Sequence, residues 1–304
     1  MKYLTALFGI FAFFPVFAES LPVAIQNTRA NCDGISDELK SLQTWAGVNT
    51  AVTGAGTLAG GGAVYAGFRK QQQDKLAEQI AKQLEDIETM SDEQFLQLLG
   101  MMADYKAEMD RGKLEDELAE AEKKSKNLGN WRTGLMAGNT ATNIAGTVIA
   151  QRNKNAGKDI IEVVRACLNS VDELKAARMQ ARLDGAADSE LAHAQEIIDK
   201  CGKHDIKHLE KIPRRSDVAK WSAVVGIGTG ASGTITSAVA NTDKTRNDNS
   251  EAGSKKEKNL NTASNVLAIA STAASGTATG FNIATITAIN NAMKTASECE
   301  EALE

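Results

Sequence analysis

The sequence has 304 residues and a formal net charge of −5 at pH 7, and only 5% of its residues are aromatic. It contains 25 glycines but 3 prolines, a composition that argues against a β-sandwich and favours long helices. The acidic balance also argues against a nucleic-acid partner, because phosphates attract surfaces rich in Lys and Arg. We therefore predict an all-α fold, an elongated helical bundle of long antiparallel helical hairpins.

The first 18 residues have the three parts of a secretory signal peptide. Lys2 supplies a positive start, residues 4–14 form an apolar run, and residues 16–18 form a small-residue cleavage site. An N-terminal membrane anchor is the alternative, although this run is short for a span of about 20 residues. We predict cleavage after Ala18 and export to the periplasm or the cell exterior.

Four cysteines follow the predicted cleavage site: Cys32, Cys167, Cys201 and Cys299. An even number in an exported chain predicts two disulfides, for which three pairings exist. Residues 158–202 resemble a helical hairpin that turns at Asp184, from which Cys167 and Cys201 are equally distant. We therefore expect these two to pair, which leaves Cys32 for Cys299. Free or differently paired thiols are the alternative.

Four spans contain no Asp, Glu, Lys or Arg and share a composition rich in Gly, Ala and Thr. They are residues 44–68, 133–151, 221–242 and 261–293, and three begin at or near a tryptophan: Trp45, Trp131 and Trp221. We predict one uncharged helix in each span.

Strongly charged helices are predicted between the first two spans, at residues 69–130. We interpret them as a solvated, coiled-coil-like hairpin, and a dedicated acidic binding face is the alternative.

Two similar stretches, CDGISDELK from Cys32 and CLNSVDELK from Cys167, indicate an internal duplication. The predicted halves are residues 19–155 and 156–304, and chance similarity of helical composition is the alternative.

The stretch VVGIGTGASGTITSAVA, residues 224–240, allows two interpretations. Its glycines at 228, 230 and 233 match the G-x-G-x-x-G turn of dinucleotide sites. However, the acidic residue at the expected distance, Asp248, lies in a polar stretch without a strand pattern. Thr- and Val-rich β-structure is a further alternative.

Small residues four positions apart, which let another helix approach closely, explain all four spans. We predict helix packing at nine glycines: Gly47, Gly67, Gly134, Gly138, Gly146, Gly226, Gly230, Gly276 and Gly280.

One stretch, Cys201-x-x-His204-x-x-x-His208, has the spacing of a metal site. We interpret it as a disulfide-bonded cysteine followed by solvent-facing helix residues, so no metal site is predicted. Nucleophile-elbow, zinc-protease and P-loop motifs do not occur in the sequence. We predict no catalytic residues, no cofactor and no enzymatic activity.

Two functions fit these features. The first is an exported, non-enzymatic structural or interaction protein of the bacterial cell envelope or exterior, with an unknown protein partner or self-association. The second is a membrane-inserting or pore-forming protein that uses the four Gly/Ala-rich helices. Asn49, Asn139, Asn143, Asn282 and Asn290 make these helices less apolar than a single-span helix. A packed bundle could still accommodate such residues in a membrane.

Overall fold

The computed structural model describes residues 20–89, 104–246 and 250–304, so the predicted signal peptide lies outside the described residues. Within these ranges the secondary structure is helical and contains no strand, which confirms the predicted all-α bundle. The helices are α1 (Leu21–Cys32), α2 (Ile35–Thr89), α3 (Asp104–Leu183), α4 (Asp188–Cys201), α5 (Ile206–Leu209), α6 (Lys211–Ala240), α7 (Asp243–Arg246) and α8 (Glu251–Leu303).

Three of these helices, α2, α3 and α8, are long because their sequences contain no proline. They have 55, 80 and 53 residues. Pro22 and Pro213 stand near the starts of α1 and α6, where a missing N–H breaks no helical hydrogen bond. Gly34 interrupts the helix between α1 and α2, and Gly185 lies where the chain reverses between α3 and α4. Their φ angles of 79° and 80° are unfavourable for other residues. The reversal at Gly185 confirms the turn predicted beside Asp184.

The described residues form two compact units, and α2, α3 and α8 contribute to both. The disulfide unit comprises residues 20–40, Asp159–Leu209 and Asn290–Glu304, and the four-helix unit comprises the described parts of Ser41–Lys158 and Glu210–Ile289. Each unit takes segments from both predicted sequence halves. The internal duplication of those halves stays a prediction.

The disulfide unit has an apolar core and two disulfides. Its fully buried side chains include Ile35, Leu39, Val164, Leu174 and Ile197. The bridges join Cys32 to Cys167 and Cys201 to Cys299. Two disulfides indicate an oxidising environment for the folded protein.

The predicted pairing of the cysteines, Cys167 with Cys201 and Cys32 with Cys299, is wrong. Cys167 and Cys201, which are equally distant from the turn, do lie in one cluster with Cys32 and Cys299. However, the partner of each cysteine depends on the direction in which its side chain leaves the helix. Cys167 faces the end of α1 and Cys201 faces α8.

The four-helix unit is built from segments of α2, α3, α6 and α8 in antiparallel order. Two contacts, one near each end, establish this order for each neighbouring pair. For α2 and α3 they are Asp74–Ser125 and Thr53–Gly146, and for α3 and α6 they are Arg132–Ser237 and Lys154–Asp217. For α6 and α8 they are Gly233–Ser264 and Arg215–Ala284, and for α2 and α8 they are Lys70–Glu257 and Asn49–Asn282. Helices α3 and α8 run in parallel, and they meet where Asn139 donates a hydrogen bond to Ser271.

Candidate functional site

The four uncharged spans lie side by side in the four-helix unit. Near one end, the buried Arg132 of α3 donates hydrogen bonds to Ser237 of α6 and Asn265 of α8, at 2.9 and 3.1 Å. Near the other end, Asn49 of α2 donates to Asn282 of α8 at 3.0 Å. The helix pairing therefore brings the uncharged parts of all four helices to the same level of the bundle.

The interior of these spans holds two small apolar clusters, around Met136 and Ala278, and a set of buried polar side chains. We call this set the polar core: Asn49, Thr53, Asn139, Asn143, Ser271, Ser275 and Asn282. All seven are at most 2% exposed. Asn139 is the centre of a network in which its amide donates to Ser271 at 2.9 Å and its carbonyl accepts from Ser275 at 2.8 Å. Ser275 also donates to Asn143 at 3.1 Å. A buried polar group without a partner costs about 1–3 kcal/mol. The hydrogen bonds of this network therefore offset the cost of burying its polar groups.

Glycines make room for the polar core. An added Cβ on Gly226 would lie 2.6 Å from Nδ2 of Asn143, and one on Gly60 would lie 2.9 Å from Nδ2 of Asn139. The same atom on Gly230 would lie 3.0 Å from the hydroxyl of Ser271. The close neighbours are amide and hydroxyl side chains, whereas the spacing of small residues predicts the backbone of another helix.

The structure separates the nine predicted packing glycines into two groups. Gly67, Gly146, Gly226 and Gly230 have side chains from a neighbouring helix within 3 Å of an added Cβ. Gly47, Gly134, Gly138 and Gly280 have no neighbour within 4 Å among the described residues, and Gly276 has only Thr57 at 3.8 Å. For these five the packing prediction is not supported.

The period of the helix explains why only some of the predicted glycines meet a neighbouring helix. Residues four positions apart drift around the axis, because an α-helix has 3.6 residues per turn. The buried positions of the spans alternate steps of four and three, and on α2 they run Asn49, Thr53, Gly56, Gly60, Ala63, Gly67 and Lys70.

The outer surface of the spans is apolar. Between residues 45 and 68 the exposed residues are Val, Ala, Leu, Gly, Tyr and Phe, and between 131 and 151 they are Trp, Gly, Ala, Ile and Val. Between 221 and 240 a single exposed residue, Ser232, is polar. We call this surface the apolar belt, and its large members are Val48, Leu58, Tyr65, Phe68, Ile144, Val148, Val225, Ile235, Val239, Val266, Ile269 and Ile283.

Exposed threonines of the fourth span do not interrupt the apolar belt. Thr262, Thr277 and Thr287 donate their hydroxyl protons to carbonyls four residues earlier in α8, at 2.9, 2.9 and 3.2 Å. Each hydroxyl thus has a partner within its own helix. Apart from Asn290 and Asn291, which are exposed at the end of the fourth span, the apolar belt therefore presents few polar groups that need water.

Tryptophans and charges mark the two ends of the apolar belt. Trp131 and Trp221 are 68% and 59% exposed and begin antiparallel helical spans, so they lie at opposite ends. Lys154 lies beyond the end that holds Trp221 and donates to Asp217 at 2.7 Å. This hydrogen bond holds the pKa of the Asp217 carboxyl below its usual value. At the other end, the fully buried ammonium of Lys70 contacts two carboxylates.

Average composition identifies one candidate membrane span among the described residues. It lies within residues Asp188–Ala240, and a third of its apolar window is buried. One such helix is weak evidence, because core helices of soluble proteins have similar compositions. An average over the sequence does not record that the polar side chains point inward.

The structure also locates the two sequence motifs that resemble ligand sites. The G-x-G-x-x-G stretch lies inside α6, without the strand and turn that a dinucleotide site requires, so the helical interpretation is confirmed. His208 is half exposed and contacts Asp205 at 2.5 Å. His204 is buried beside the disulfides, so the prediction that it faces solvent is wrong.

No protein-family model, no curated protein and no solved structure matches this chain.

Proposed function

We propose that this is an exported protein whose four-helix unit inserts into a lipid bilayer. The single observation that supports this proposal is the distribution of side chains in the four spans: amide and hydroxyl groups are buried among small residues inside, and large apolar side chains are exposed outside. A soluble bundle has the opposite arrangement, because burial of apolar surface is the main favourable term in folding. Both the polar core and the apolar belt are explained if the surrounding solvent is hydrocarbon.

The dimensions of the belt agree with this proposal. Residues 133–151 extend over about 28 Å at about 1.5 Å per residue, close to the hydrocarbon thickness of about 30 Å. Exposed tryptophans at opposite ends fit the two interfaces, where amphipathic rings are enriched. Helices in a membrane associate through small residues and interhelical hydrogen bonds, and Gly226 packed on Asn143 provides such a contact.

Insertion, and not conduction, is the activity that this geometry favours. Asn139, Ser271 and Ser275 bond one another across the centre of the four-helix unit. Their polar groups are therefore satisfied without water. The interpretation as a soluble structural or interaction module is the second candidate, since another copy of the chain or a protein partner could cover the same belt.

Flotation with liposomes tests insertion directly. The mature protein is mixed with vesicles of neutral phospholipid, treated with high salt, and centrifuged through a density gradient. We expect it to float with the lipid. Bromine atoms near the lipid headgroups should quench the fluorescence of the three tryptophans more strongly than bromine atoms at the chain ends.

A matched pair of substitutions makes the test specific for the belt. Leu58, 80% exposed, lies at mid-span on α2, and Leu183, 82% exposed, lies at the end of α3 in the disulfide unit. Lysine at the centre of a membrane helix costs about 2.5–3.5 kcal/mol. Leu58→Lys should therefore reduce flotation at limiting lipid, and Leu183→Lys should not. A wild-type protein that stays with the aqueous fraction, as a monomer or as an oligomer, would refute insertion.

A further inference from the structure

The two disulfides and a buried histidine form one compact cluster in the disulfide unit. The sulfurs of Cys32, Cys201 and Cys299 all lie within 4.8 Å of one another. The sulfurs of Cys167 and Cys299 and a ring nitrogen of His204 also lie within 4.8 Å of one another. Cys299 belongs to both groups, so it connects all five side chains, and each of them is buried.

His204 has a nitrogen that the described structure does not use. Its side chain is in a residue that is only 8% exposed, and Nε2 has no hydrogen-bond partner among the described residues. Burial lowers the pKa of this imidazole, with Glu300 opposing the shift. A neutral imidazole is the form that binds metal ions. By contrast, His208 is half exposed and already bonded to Asp205.

We propose that reduction of the two disulfides converts this cluster into a zinc site in which Cys299 and His204 are ligands and cysteine thiolates complete the coordination. Thiolate and imidazole ligands together are typical of structural zinc sites. Tetrahedral coordination at a Zn–S distance of about 2.3 Å needs sulfurs about 3.8 Å apart. Non-bonded sulfurs in the cluster already lie within 4.8 Å, so side-chain rotations of the reduced cysteines suffice.

The chemistry balances with a dithiol reductant. Each protein disulfide accepts two electrons and two protons, and the reductant leaves as its own disulfide. The thiols that bind Zn²⁺ then release their protons to solvent. Disulfides would hold the unit in an oxidising compartment, and zinc would hold it where thiols stay reduced.

Thermal unfolding of the full mature protein, reduced with a phosphine under nitrogen, tests this proposal. We expect Zn²⁺ to raise the melting temperature of the reduced wild type but not of the oxidised protein. This readout excludes zinc bound by unfolded cysteines, because a ligand stabilises the fold only when it prefers the native state. Co²⁺ in place of Zn²⁺ should give the sulfur-to-cobalt charge-transfer absorption of thiolate ligands.

Two histidine variants provide the comparison. His204→Phe should lose the zinc-dependent rise and bind Co²⁺ at least tenfold more weakly, whereas His208→Ala should behave as wild type. Circular dichroism and melting of both oxidised variants show whether they fold. His204→Asn provides a second substitution if phenylalanine prevents folding. Equal zinc stabilisation of reduced wild type and the His204 variants would overturn the proposal, and so would no stabilisation of the wild type.

Discussion

Two glycines of α6 that lie two residues apart, Gly226 and Gly228, test how the polar core is packed. A Cβ on Gly226 would lie 2.6, 2.8 and 2.9 Å from three atoms of the Asn143 amide, whereas one on Gly228 has no neighbour within 4 Å. Alanine at either position gains about 0.5–1 kcal/mol of helix propensity. Overpacking a core costs about 1–3 kcal/mol. Because the propensity gain cancels in the comparison, Gly226→Ala should be about 1–3 kcal/mol less stable than Gly228→Ala.

The assay is thermal unfolding of both variants by circular dichroism in one detergent. At about 2–4 °C per kcal/mol for a domain of 150–250 residues, the two melting temperatures should differ by about 2–12 °C. Asn143→Ala should remove most of the extra cost of Gly226→Ala in a double-mutant cycle, since it removes the contacted amide. Equal melting temperatures for the two glycine variants would refute the packing argument.

Two further predictions concern the bridges and the buried arginine. Peptide mapping without reduction should recover a Cys32–Cys167 peptide, and a Cys167–Cys201 peptide would contradict the structure. Arg132→Ala should cost about 2–5 kcal/mol in thermal unfolding, because it leaves a cavity and removes the donor that Ser237 and Asn265 accept from. Arg152→Ala, which removes an exposed guanidinium 3.8 Å from the ring of Trp45, should cost about 0.5–1 kcal/mol. Equal losses for the two arginines would contradict the burial of Arg132.

Much of the local structure could be predicted from the sequence. The scarcity of proline and of aromatic residues favours long helices, and the turn at Gly185 follows from a glycine between two amphipathic stretches. The four spans without charge were also correctly predicted as helices. These features depend on backbone preferences and on the spacing of residues within one helix, which a sequence records directly.

The polar core was the part of the candidate site that sequence reasoning missed. Asn49, Asn139, Asn143 and Asn282 counted only as residues that lower the apolar character of their spans. Their positions at alternating steps of four and three, shared with Gly56 and Gly60, were the signal that could have identified the inner face.

Only the tertiary structure decided which cysteines pair and which side chains the glycines contact. The sequence by itself determined two disulfides and four uncharged helices, but the bridges formed between Cys32 and Cys167 and between Cys201 and Cys299. It also determined which spans are rich in small residues, but not which glycines meet a neighbour, such as Gly226 on Asn143. The physical reason is the same for the disulfides and for the glycines. The sequence determines how far along its helix a residue lies. The rotation of that helix, set by all its neighbours at once, determines what the side chain meets.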